Sequence, residues 1–247
     1  MTSRSRLAAL LGLMAISMTA NPVSAQSLAA AQAARAAGPV AVVTSPDLVT
    51  SSPGPCSDSK YNLIGPKWKS TLKWSYKSST TPSYLTTSQV VQVLKRAFNN
   101  ITMERNDCGR IDRVNASWSY LGTTSNSLGV TKAGACGSAD GHNTVGFGAL
   151  PAGYLALTCV RSVGTSITET DIRLSNGSSW ALALGDCLND FMLEAVATHE
   201  IGHAYGLGHV GETNHGRLTM STFIDGTCEN QESTLGLGDM KALEALY

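Results

Sequence analysis

The chain has 247 residues, 43% of them hydrophobic, with 18 Lys and Arg balanced by 18 Asp and Glu. That length supplies one sizeable core and is short for two. A balanced charge gives no basic field to attract nucleic acid and no acidic tail, so no nucleic-acid partner is expected.

Residues 1–25 read as a cleaved secretory signal. Arg4 and Arg6 precede the apolar run from Leu7 to Ala20, and Val23-Ser24-Ala25 offers small residues before Gln26. The run is about 14 residues long, against the roughly 20 needed to span a bilayer, so a secreted protein without a membrane anchor is expected. Residues 26–55 pass from an Ala-rich stretch into a Pro/Ser/Thr-rich one without apolar periodicity, as in a propeptide or flexible leader. The globular domain is placed at 56–247.

Within it, Leu72, Trp74 and Tyr76 alternate with polar residues and predict a strand. Ser88 is the expected N-cap of a helix on which Val90, Val91, Leu94, Ala97, Phe98 and Ile101 share a face. Alternation at Ala116, Trp118 and Tyr120 predicts another strand, followed by short β-rich runs at Thr144–Phe147, Tyr154–Val160 and Ile167–Leu174. Asn189 and Asp190 are expected to cap a helix from about Phe191 to Ala204. Gly238-Asp239 opens a last short helix with Met240, Leu243 and Leu246 on one face. The order is that of a mixed α/β (α+β) domain. Six cysteines behind a secretory signal predict disulfides, and six permit fifteen pairings.

The chemistry concentrates in His199-Glu200-Ile201-Gly202-His203-Ala204-Tyr205-Gly206-Leu207-Gly208-His209. Four residues on a helix turn through about 400°, so His199 and His203 project from one face where two imidazoles can share a zinc ion. Glu200, about 100° further round, can reach a water without ligating the metal, which suits a general base. His209 completes the ligand set only if the helix stops, and Gly206 is placed to end it with a positive φ. On average composition the full pattern arises by chance in roughly one chain of this length in a hundred thousand, against one in a hundred for its first five residues. A capped helix that merely contains histidines is therefore the weaker explanation.

The pattern resembles the metzincin metalloproteases, and its surroundings resemble the matrixins, including their secreted microbial relatives, from about Leu72 to the end. The matching pieces are Thr170-Asp171-Ile172-Arg173-Leu174, the zinc motif, and Leu235-Gly236-Leu237-Gly238-Asp239 leading to Leu243 and Leu246-Tyr247. The resemblance implies a twisted mixed sheet, an active-site helix, one catalytic zinc on His199, His203 and His209, and a C-terminal helix. It also implies a Met-turn at Met220 and an edge strand at Tyr154–Thr158 that pairs with an extended peptide. Around such a site the preferred disulfides are Cys187–Cys228, Cys136–Cys159 and Cys56–Cys108. The matrixin cysteine switch is missing. So is the His- and Asp-rich segment of the vertebrate members, with only Asp140-Gly141-His142-Asn143 in its place, and no second zinc is expected. His215 is expected to be a loop residue outside the ligand set.

The resulting expectation is a monomeric secreted zinc endopeptidase acting on peptide or protein substrates. Its rivals are a zinc hydrolase of a non-peptide bond and a catalytically silent zinc-binding module. The silent reading is the poorer one, since a structural site closes with a fourth ligand and has no use for Glu200. The sequons at Asn100, Asn115 and Asn176 matter only in a eukaryotic host.

Overall fold

The computed structural model describes residues 13–15, 53–224 and 226–247. The rest of the expected signal, the leader up to residue 52, and Asp225 lie outside the described residues.

The chain folds as β1 (Leu13–Ala15), β2 (Asn62–Leu63), β3 (Leu72–Tyr76), α1 (Thr87–Thr102), β4 (Trp118–Thr123), β5 (Asn143–Gly148), β6 (Ala156–Val163), β7 (Ser166–Ser175), β8 (Trp180–Ala181), β9 (Phe191–Met192), α2 (Leu193–Ala204), β10 (Leu207–Gly208), α3 (Glu212–His215) and α4 (Leu237–Leu246). Six strands make one mixed sheet in the order β1-β6-β7-β5-β3-β4. Strands β7, β5, β3 and β4 run parallel, and β6 returns antiparallel to β7. This is the mixed α/β architecture expected of a matrixin-type catalytic domain.

Alternation explains the sheet. Leu72, Trp74 and Tyr76 are buried on one face of β3, where Trp74 stacks on Phe98 of α1 with ring centroids 4.7 Å apart. Parallel strands need a covered connection, and α1 supplies it between β3 and β4 with Val90, Leu94, Ala97, Phe98 and Ile101 turned inward. Helix α2 shares that core and is buried nearly all round, so its sequence shows little amphipathic pattern. Beyond the other face of β6, Val130, Leu157 and Cys159 form a smaller cluster.

Two helix starts differ from expectation. The N-cap of α1 is Thr86, not Ser88: the Thr86 hydroxyl accepts from the Gln89 backbone N–H, and the Gln89 side chain accepts from the Thr86 N–H. This reciprocal pair satisfies two donors that a cap at Ser88 would leave open. Helix α2 begins at Leu193, because Phe191–Met192 pairs with Trp180–Ala181 as strand, and Asn189 takes a positive φ in the preceding turn rather than capping. The edge segment likewise becomes strand only at Ala156, after the turn in which the Tyr154 N–H bonds the Pro151 carbonyl.

The disulfides are Cys56–Cys108, Cys136–Cys159 and Cys187–Cys228, the three pairs preferred above, and they use every cysteine. Asn100 is buried, its amide donating to Glu194 and Thr198 of α2, so that sequon cannot carry a glycan in the folded chain. Among the described residues no helix is long and apolar enough to cross a membrane. Cys187 and Cys228 lie 41 residues apart and bracket α2 and the segment after it. Replacing both with Ala should lower the unfolding free energy by about 4 kcal/mol in the chain-entropy model, read as a reduced urea midpoint.

Candidate metal centre

His199 and His203 stand one turn apart on α2, and the chain must fold back to bring a third imidazole to them. The helix ends at Gly206, whose φ is +94°. A Cβ there would lie 2.5 Å from the Pro66 carbonyl oxygen, so the position needs glycine for both its backbone angle and its neighbour. The open carbonyls of the last turn are met from outside, by the Trp68 indole on Ala204 at 2.8 Å and the Tyr247 hydroxyl on Tyr205 at 3.0 Å. The chain then pairs Leu207 with Leu63 in the β2–β10 ribbon, and the Asn62 amide holds the His209 carbonyl at 2.6 Å.

This brings three imidazole nitrogens together. The Nε2 atoms of His199 and His203 are 3.0 Å apart, those of His199 and His209 3.0 Å, and those of His203 and His209 2.9 Å. His199 Nδ1 donates to the Thr219 carbonyl at 2.7 Å, and His203 Nδ1 to the Leu207 carbonyl at 2.9 Å. A neutral imidazole has one N–H, so both inward Nε2 atoms are bare acceptors. Burial keeps the rings neutral. It is the main cause pushing His199 down to about 3 and His209 to about 4, and it holds His203 well below its ordinary value, with the neighbouring imidazoles adding to the effect on His199 and His203.

Lone pairs held this close with no proton between the first two repel unless a cation joins them. Zinc bound at 2.0–2.1 Å in tetrahedral geometry places its ligand atoms about 3.3 Å apart, within a few tenths of an ångström of the spacing seen. The donor set therefore fits zinc. Both carbonyls on Nδ1 are the outer-shell partners that fix a ligating ring's tautomer and orientation. Among the described residues, these three histidines are the group of His, Cys, Asp or Glu able to hold a metal ion.

Residues 151–247 match the family model for the matrixins, an M10 peptidase family. Over that segment the chain is similar to the matrixins, which supports a matrixin-like metzincin. The match spans β6, the histidine motif and the C-terminal helix, and supports a metalloprotease. No curated protein matches the chain.

The structure places the remaining candidates around this matrixin-like centre. Glu200 is buried on α2, and burial pushes its carboxyl up to about 7 against the lowering effect of a hydrogen bond from Thr158. Met220 is buried under the helix, its sulfur so near that a Cβ on Gly202 would come within 2.4 Å. Ala156–Thr158 has β7 on one side, and β1 pairs only with residues 159–161, so its outer backbone edge has no partner strand among the described residues. His215 ends α3 rather than lying in a loop, and it pairs with Asp58 at 2.8 Å, outside the ligand set.

Asp239, read from sequence only as a helix opener, shapes the turn that carries Met220. Its buried carboxylate accepts from the Thr219 and Gly236 N–H groups at 2.9 Å and from the Met220 N–H at 3.1 Å. Burial pushes it up to about 6 against these bonds. An Asp three residues into a helix is the available signal, but its reach to residues 219 and 220 is not local. Thr158 was missed as a partner of Glu200 for the same reason.

Gly206→Ala should lower the unfolding free energy by about 1–3 kcal/mol and weaken zinc binding, since the strained backbone directs His209. Denaturant melts with and without zinc measure both; a variant equal to the parent in each would show that the turn does not need glycine.

Proposed function

We propose that the chain is a secreted zinc-dependent endopeptidase, monomeric, hydrolysing peptide bonds in peptide or protein substrates. The observation that carries this reading is the convergence of three Nε2 atoms within 3.0 Å of one another, with Glu200 the next residue after His199 on the same helix. The matrixin match over residues 151–247 supports it, as do three disulfides for an oxidising compartment. The secretory signal at residues 1–25 is part of the proposal.

His199, His203 and His209 would hold the zinc ion. All three are neutral, so bound zinc would keep its full double charge and supply Lewis acidity toward the scissile carbonyl and a water. Glu200 is the base. It takes a proton from the water as the water oxygen adds to the carbonyl carbon, then delivers that proton to the amine nitrogen as the C–N bond breaks. No thiol can act as nucleophile, because all six cysteines are in disulfides. The open edge of Ala156–Thr158 would bind an extended peptide by adding it to the sheet. Met220 and Asp239 act through the ligands, supporting the helix and presenting the Thr219 carbonyl to His199.

The test is cleavage of denatured casein by the purified mature protein. A chelator should abolish activity and stoichiometric zinc restore it. Glu200→Gln should keep one zinc per chain and lose about a thousandfold or more in kcat. Cleavage by Glu200→Gln at the parent rate would refute the assigned role, and absence of zinc-dependent cleavage in the parent would refute the proposal.

A further inference from the structure

We infer that Thr158 is a positioning residue for the base, an inference that rests on the peptidase reading above. A glutamate side chain has three rotatable bonds, and general-base catalysis requires one oxygen to be held where the reacting water will lie. Something must restrain it. The Thr158 hydroxyl lies 2.5 Å from Glu200 Oε2 and 3.1 Å from the Glu200 carbonyl oxygen, so one O–H is shared between the side chain and backbone of the same residue. In the short contact the hydroxyl donates to the carboxylate oxygen.

Among the described residues Thr158 is the group seen to hydrogen-bond the Glu200 carboxylate, and it restrains Oε2. Both residues are buried, at 3% and 2% exposure, which keeps competing water from the Thr158–Glu200 contact. Along β6, Leu157 and Cys159 face the small cluster with Val130, while Thr158 points the opposite way, toward α2. A β-branched residue is at home at this strand position, but valine would fill the same space. The hydroxyl is therefore what distinguishes threonine here. Because Thr158 belongs to the strand whose free edge would receive the peptide, it also ties the base to the substrate-bearing backbone. A shift of that strand would move the carboxylate with it.

The experiment compares Thr158→Val, which removes only the hydroxyl, with Thr158→Ser, which keeps it, on the zinc-loaded mature protein and one quenched fluorogenic peptide. Thr158→Val should lose about 10- to 100-fold in kcat with KM within about twofold, one zinc still bound and the melting temperature nearly unchanged. Thr158→Ser should stay within about threefold of the parent. Parent-like kcat in Thr158→Val, an equal loss in Thr158→Ser, or a loss that tracks zinc or folded protein would overturn the inference. Should the valine variant not fold, Thr158→Ala is judged by the same criteria, and failure of both to fold assigns the hydroxyl a structural role instead. A parent enzyme without zinc-dependent cleavage would refute the peptidase reading, whereas an active parent with an indifferent Thr158→Val refutes only this inference.

Discussion

Two bare imidazole nitrogens, on His199 and His203, turned toward one another with a third ring's Nε2 within 3.0 Å of both, are an unfavourable arrangement in the absence of a cation. The chain nevertheless commits the Nδ1 protons of His199 and His203 to the Thr219 and Leu207 carbonyls, buries the rings, and keeps them neutral. The surrounding structure holds these rings in place, and metal affinity is the compensation that makes this arrangement intelligible.

The supports come from distant parts of the chain. Helix α2 is tied to α1 through Glu194, which accepts from Arg96 at 2.7 Å and Asn100 at 3.0 Å. Its end is closed by Trp68 and Tyr247. The ribbon with Asn62–Leu63 carries His209 into position, and Asp239 shapes the turn whose carbonyl holds His199. Glu212 braces the same region by accepting from the Ser221 hydroxyl and the Phe223 N–H. The Asp239 bonds satisfy buried backbone N–H groups that would otherwise lack a partner, so the turn beside the centre and the fold are stabilised by the same bonds.

Much of this was readable from sequence because it is local. The spacing of His199, Glu200 and His203 needs only helical geometry, and the need for a turn at Gly206 follows from the distance to His209. The strands β3 and β5 to β7 show as β-rich or alternating runs. What escaped is non-local or ambiguous. The two-residue strands β2, β8, β9 and β10 have no period to detect. Thr86, Thr87 and Ser88 are chemically similar caps, and the deciding clue was Gln89 three residues after Thr86. Asn189 looks like a cap but takes the left-handed turn conformation that asparagine also tolerates. Asp239 and Thr158 meet the site only through the tertiary fold, so no window of sequence could join them to it.

The central claim is that the three inward nitrogens form one metal site with an open position. Zinc-edge anomalous diffraction from crystals of the mature protein with stoichiometric zinc tests it most directly. One peak is expected, 2.0–2.1 Å from the Nε2 atoms of His199, His203 and His209, with no fourth protein ligand. Absence of a peak among the three rings, or a fourth side chain closing the coordination, would contradict the account.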